Sequence, residues 1–159
     1  MIGKIFHKNN YDKIEYAECA IWCNENKAYI EDKGDFYEVI AIPAPTLEEV
    51  KTQKITSLKA DRDRLEVEDI EVDGHLYDYD EKARERINNA IIALQASGTS
   101  ILWTLANNDS VLVTAQDLVA VVSAVAVRSN TLHIAYRDAK AKVNAAMTAE
   151  EVNAVELEV

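Results

Sequence analysis

The chain has 159 residues, which suits one domain, or a small domain with an appendage, and is enough to bury a core. Its 17 basic and 28 acidic residues give a net charge of −11, and a field of that sign repels phosphate groups. We therefore expect no nucleic-acid partner and no membrane partner, and the commoner use of such a charge is solubility.

Signals for export or membrane insertion are not apparent in the sequence. The first ten residues lack an apolar run and a small-residue cleavage site. The longest apolar stretch, residues 118–127, is interrupted only by Ser123 and is half of the ~20 residues that a membrane helix needs. We expect a soluble protein that is made in the cytoplasm.

Residues 1–42 are predicted to form strands because their apolar runs are short and lie beside turn signals. The runs are residues 2–6, 17–23, 27–30 and 36–42. Pro43 and Pro45 then break the pattern, since proline cannot donate to a sheet ladder. The sequence therefore predicts an N-terminal antiparallel β module over residues 1–45.

The two cysteines, Cys19 and Cys23, fall in the second predicted strand. On a strand they point to the same face about 13 Å apart, which is too far for a disulfide or for joint metal binding. We expect two reduced, partly buried thiols.

From residue 46 the pattern becomes helical. Thr46 and Glu49 form a capping box that opens the first helix, and Asp73-Gly74 is a two-residue hairpin signal. A second helix is expected after 78–81, where Asp78 and Glu81 have capping-box spacing, and it is expected to stop at Gly98.

A second hairpin is predicted around residues 107–110, followed by a long helix from Thr114 to about Ala146 and a short helix after Thr148. The whole pattern predicts an α+β fold. An N-terminal antiparallel β module precedes a helix-hairpin-helix-hairpin-long helix module over residues 46–159, which we expect to fold by itself.

Self-association is predicted from surplus apolar surface. The first helix carries a narrow apolar stripe that includes Leu58 and Leu65, and the long helix is apolar almost all round at its start. We expect a homo-oligomer, either a dimer or a trimer, with Leu58 and Leu65 at the contact.

The sequence offers few candidates for catalytic or ligand-binding residues. Four scattered glycines cannot form a phosphate loop, and no Cys or His pair has the spacing of zinc ligands. Ser123, His133 and Asp138 can be written as a triad, but on one helix Ser123 and His133 lie ~15 Å apart. We predict no catalytic residues, no metal and no cofactor.

An acidic cluster surrounds the first hairpin and contains the oxygen ligands that calcium prefers. Its members are Glu66, Glu68, Asp69, Glu71, Asp73, Asp78 and Asp80. Their spacing does not match an EF-hand loop, so a solvated face is the favoured interpretation and a calcium site the alternative.

Aromatic residues are the remaining candidates for binding. Trp22 and Trp103 lie in predicted strands, where core packing is the default. Tyr77 and Tyr79, beside acidic residues at the first hairpin, are typical of a protein-binding patch.

Three segments together resemble a domain of unknown function that is common in tailed bacteriophages. They are residues 73–87, beginning Asp-Gly-His-Leu-Tyr-Asp-Tyr-Asp, the pair 103–108 and 111–118, and the C-terminal part with His133 and Thr148-Ala149-Glu150-Glu151-Val152. The resemblance covers about residues 48–156 and leaves residues 1–45 outside. It implies a phage origin and association with a tail fibre, and it implies no catalytic residues.

Three alternatives for function are open. The first is a tail-fibre assembly chaperone in the host cytoplasm, the second a permanent structural or adaptor part of the virion tail, and the third a glycan-acting enzyme with a pair of carboxylates in a cleft. For the first two, the partner is the phage tail-fibre protein. The predicted protein-binding residues are Trp22, Tyr29 and Tyr37 on the exposed N-terminal sheet, and Tyr77 and Tyr79 at the first hairpin.

Overall fold

The computed structural model describes all 159 residues, and the fold is α+β as predicted. Its internal contacts divide the chain into an N-terminal unit, Met1–Pro45, and a C-terminal unit, Thr46–Val159. Folding of residues 46–159 alone stays a prediction.

The N-terminal unit is a three-stranded antiparallel sheet with one helix. Its elements are β1 (Ile5–His7), α1 (Lys13–Glu25), β2 (Ala28–Asp32) and β3 (Phe36–Ala41). The strand order is β1-β3-β2, so β3 is the central strand. The prediction of antiparallel strands is confirmed, with one exception.

The exception is the run at residues 17–23, which was predicted as a strand and lies inside α1. Asp12 begins this helix, because its carboxylate accepts hydrogen bonds from the backbone N–H groups of Ile14 and Glu15. A short apolar run does not distinguish a strand from a helix, and the cap at Asp12 was the signal that did.

The geometry predicted for the cysteines is therefore wrong, although their state is as expected. Cys19 and Cys23 are one helical turn apart on the same face of α1, and both are buried free thiols. Burial raises the pKa of the Cys23 thiol. The pair is part of the core of the N-terminal unit, with Phe6, Ala28 and Val39.

The C-terminal unit follows the predicted element order. Its elements are α2 (Leu47–Glu66), β4 (Ile70–Val72), β5 (His75–Tyr77), α3 (Glu81–Ser97), β6 (Ile101–Thr104), β7 (Ser110–Val113), α4 (Ala115–Ala145) and α5 (Ala149–Asn153). Strands β4 and β5 form one hairpin and β6 and β7 another.

Local capping chemistry sets these boundaries. The capping boxes at Thr46 and Thr114 are present, and Gly98 ends α3 in the left-handed conformation. The cap of α3 lies within the predicted segment 78–81, but it is Asp80 and not Asp78 that accepts the hydrogen bond from the Ala83 backbone N–H.

Helix α4 is the centre of the C-terminal unit, because α2, α3 and the first hairpin all pack on it. Two buried clusters lie along it. One is around Ile87, Leu118 and Val121, and the other around Leu58 and Val143. Leu58 is 2% exposed, so it cannot be the surface contact between copies that the sequence predicted.

Helix α4 also has the length and composition of a membrane span. An 18-residue window has a mean hydropathy of 1.5, and 22% of that window is buried inside the protein. Core helices of soluble proteins have the same length and composition.

The capping box of α4 gives a prediction about acid stability. Asp117 accepts hydrogen bonds from the backbone N–H and the hydroxyl of Thr114, and these bonds lower the pKa of the Asp117 carboxyl. Its contribution is complete above the ordinary carboxyl pKa and is lost as the pH falls through the lowered value. We therefore expect Asp117→Asn to flatten the acid dependence of the melting temperature below about pH 4. An unchanged slope in the variant would contradict this.

Candidate protein-binding surfaces

The sheet of the N-terminal unit has two different faces. Strand alternation and register place Phe6, Val39 and Ala28 on the face that packs against α1. The opposite face, called the open face, carries Ile5, His7, Tyr29, Glu31, Phe36, Glu38 and Ile40. Ile5 is 47% exposed and Tyr29 43% exposed, so this face offers apolar and aromatic surface to solvent.

Only Tyr29 of the three aromatic residues predicted on an exposed sheet lies on the open face. Trp22 is in α1 and is half-buried against the core, and Tyr37 lies on the helix-covered face. Tyr37 joins an aromatic cluster with Tyr11 and Tyr16, at ring-centroid distances of 5.9 and 5.3 Å. The expectation of a shared aromatic surface is therefore wrong for Trp22 and Tyr37.

The tyrosines of the first hairpin are also not a surface patch. Tyr77 is 3% exposed and Tyr79 is 8% exposed, and both belong to the core of the C-terminal unit. The guanidinium of Arg128 lies 5.8 Å from the Tyr79 ring centroid and donates to the carbonyls of Asp69 and Glu66. These tyrosines pack the first hairpin against α4. The positions of the two tyrosines in the sequence do not predict this packing.

This burial changes what substitution of the tyrosines should do. We expect Tyr79→Ala to lower the free energy of unfolding by about 3 kcal/mol, because it opens a cavity under Arg128. The matched change Tyr29→Ala, at an exposed site, should cost less than about 1 kcal/mol. Urea unfolding measures both, and equal losses would contradict the assignment.

An exposed leucine pair on the second hairpin was not predicted. Trp103 and Val113 point to the core, at 7% and 1% exposure, so the alternate positions Leu102 and Leu112 point outward. These two leucines lie directly opposite each other in the register and are 71% and 65% exposed. We call them the outer leucine pair. The continuous apolar runs of both strands indicated this pair, because apolar and polar residues normally alternate in a strand that has one face in water.

A cleft lies between the tips of the two hairpins, with a volume of about 560 Å³. Its lining includes two carboxylates, Glu71 and Asp109, beside His75. The Asp109 carboxylate accepts a hydrogen bond from the Asn107 side chain at 2.8 Å, and both acids are exposed to water. Glycosidases hold their general acid in a buried, apolar environment, whereas both of these carboxylates are in water.

Ser123, His133 and Asp138, which could be written as a catalytic triad from the sequence, each contact other residues. The Ser123 hydroxyl donates to the Val119 carbonyl at 2.8 Å, and His133 Nε2 lies 2.9 Å from the Glu66 carboxylate. The Asp138 carboxylate pairs with Arg137. All lie along α4, so they do not converge on one reacting atom.

The acidic cluster does not form a ligand set. No group of three or more His, Cys, Asp or Glu side chains is arranged to hold a metal ion. Asp80 is occupied as the cap of α3, and Asp73 lies in the turn with a positive φ of 52° next to Gly74.

Comparison with protein families gives one match. Residues 49–156 match the model of a family described as Domain of unknown function (DUF4376), and the chain belongs to this family. No curated protein and no solved structure matches the chain. The matched range contains all of the C-terminal unit except its ends, and the description of the family names no partner and no activity.

Proposed function

We propose that this protein binds a bacteriophage tail fibre through protein–protein contacts and performs no chemistry. Its role is that of an assembly chaperone, which holds the fibre chain until the fibre trimerises. The phage context comes from the resemblance of residues 48–156 to a tail-fibre-associated domain. The surface that supports binding comes from the fold of the C-terminal unit.

The outer leucine pair is the observation that carries this proposal. Leu102 and Leu112 leave two large apolar side chains side by side on the outside of a two-stranded sheet. Such a position is normally polar when it faces water, and contiguous exposed apolar surface marks interaction sites. The open face of the N-terminal sheet, with Ile5 and Tyr29, provides a second surface of the same kind.

The charge of the chain fits this role. A fibre chain that has not trimerised exposes apolar surface and strand edges, and these aggregate. A partner that covers such surface with an apolar face, while its net charge of −11 remains in water, keeps the complex soluble. The same charge disfavours nucleic acid as a competing partner.

Co-expression with the gene of a candidate tail-fibre partner tests the proposal. We expect the yield of soluble, trimeric fibre to rise when this protein is present and to fall when its gene is deleted. Equal yields of trimeric, infective fibre with and without the protein would contradict the chaperone role. Mass spectrometry of purified virions separates this role from that of a permanent tail component, because a chaperone is absent or substoichiometric.

A further inference from the structure

Helix α4 has a second face that is largely apolar, with Thr131 and Asp138 as its polar members, and its own fold leaves this face exposed or half-buried. The core face is formed by Leu118, Val121, Val125, Leu132, Ala139 and Val143. A second row, which we call the outer stripe, is formed by Ala120, Ala124, Val127, Thr131, Ile134, Asp138, Ala141 and Ala145. At 100° per residue the two rows are centred roughly 130° apart, so they are separate faces of one helix.

The outer stripe has the spacing of a helix–helix seam. Its members are separated alternately by four and three residues along the whole helix. That heptad spacing is the pattern by which one helix packs along another, at a crossing angle near ~20°. Every member is half-buried or exposed, and the branched residues at its centre, Val127 and Ile134, are 68% and 43% exposed.

The polar members of this face do not prevent its burial. The Thr131 hydroxyl donates to the Val127 carbonyl at 3.1 Å, and the Ser123 hydroxyl beside the stripe donates to the Val119 carbonyl. The hydroxyl donors of Thr131 and Ser123 are thus satisfied within α4, and the Asp138 carboxylate, the one charged group of the stripe, pairs with Arg137 at 3.0 Å. The alanines at both ends allow two helix backbones to approach closely.

We propose that the outer stripe binds the same stripe of a second copy of this chain, with the two α4 helices antiparallel. The strip is ~40 Å long and ~12 Å wide, so two copies bury on the order of 1,000 Å², which is the lower limit for a specific interface. In a two-fold dimer the same surface of each chain contacts the other chain, and the outer stripe of each copy meets this requirement.

Charge selects the antiparallel arrangement. The C-terminal half of α4 carries Arg137, Lys140 and Lys142, while the acid Asp117 lies at its N-terminal end. In a parallel dimer, each of these cations would lie beside the same cation of the second chain, and the two Asp138 carboxylates would also lie together. Antiparallel helices separate the like charges and align the helix dipoles favourably.

Measurement of mass tests the interface. We expect the full chain to have about twice its 17.8 kDa mass in sedimentation equilibrium. Val127→Glu with Ile134→Glu should weaken dimerisation by about 100-fold, because it buries like charges in the seam, while the circular dichroism spectrum of the folded monomer stays that of the wild type. The control is Ile92→Glu with Met147→Glu, which changes two residues of 67% and 79% exposure outside the stripe and should leave the dimer intact.

Cross-linking tests the orientation. A tagged Val127→Cys chain and an untagged Ile134→Cys chain should form a disulfide with each other on oxidation, because the antiparallel seam places these positions opposite each other. Wild-type chain is the control, since Cys19 and Cys23 are buried. A monomeric wild-type chain at high concentration, a Val127→Cys chain that cross-links only to itself, or binding of α4 to lipid vesicles in flotation would each overturn the proposal.

Discussion

Replacement of Trp103 with alanine is expected to destabilise the C-terminal unit by about 3 to 5 kcal/mol. Trp103 is 7% exposed and packs in the cluster with Ile87, Leu118 and Val121. The guanidinium of Arg86 lies 4.9 Å from its ring centroid, so the variant loses a cation–π contact as well as apolar burial. A loss of this size is a large part of the stability of a small domain.

Leu102→Ala is the matched control for this prediction. Leu102 is the preceding residue of the same strand, but it is 71% exposed, so the change should alter the free energy of unfolding by less than about 0.5 kcal/mol. Urea denaturation of both variants, with the transition followed by circular dichroism, measures the difference. If Leu102→Ala is as damaging as Trp103→Ala, the assignment of inner and outer hairpin faces is wrong.

The outer leucine pair gives the second large expected effect, which is on binding. We expect Leu102→Lys with Leu112→Glu to weaken binding to the fibre protein by about 3 kcal/mol, or roughly 150-fold in Kd, because two buried leucines are lost from the interface. The new side chains are of opposite charge and lie directly opposite in the register. They therefore leave the net charge unchanged and preserve the hairpin through a cross-strand ion pair.

A double variant outside the outer leucine pair controls for the loss of exposed apolar side chains in general. Ile92→Glu with Met147→Lys also replaces two highly exposed apolar residues by one acid and one base. Calorimetric titration of the purified fibre protein with each variant should show wild-type affinity for this control. Equal affinity of the hairpin variant and the wild type would exclude the outer leucine pair as the contact.

Elements defined by local chemistry were predictable from the sequence. The capping boxes at Thr46 and Thr114, the stop at Gly98 and the turn at Asp73-Gly74 each depend on residues within one turn of each other. Their side chains bond to nearby backbone groups, or allow the positive φ that the turn needs, and a single sequence contains that information.

Helix α1 was missed because its strongest signal was misleading. The apolar run at residues 17–23 has the length of a strand, and Cys19 and Cys23 lie on one face in either conformation. The Asp12-Lys13-Ile14-Glu15 segment carried the helix signal, since an acid at the cap and another in the first turn favour a helix start. An apolar run needs its flanking residues to be interpreted.

The burial of Tyr77 and Tyr79 could not be read from the sequence. A two-stranded hairpin has two faces, and the residues that cover one of them are on α4, distant in sequence. The cover includes Leu118 and Val121, with Arg128 over Tyr79. Which aromatic residues remain exposed is thus decided by tertiary packing, and the same packing leaves Leu102 and Leu112 outside.

Co-purification of this protein with its proposed partner, a phage tail-fibre protein, tests the central claim most directly. When the two are expressed together and this chain carries an affinity tag, we predict that the fibre protein elutes with it as a stable complex, and that the Leu102→Lys, Leu112→Glu variant does not retain the fibre. The claim is contradicted if the two proteins never co-purify and the fibre folds, trimerises and supports infection equally well without this protein.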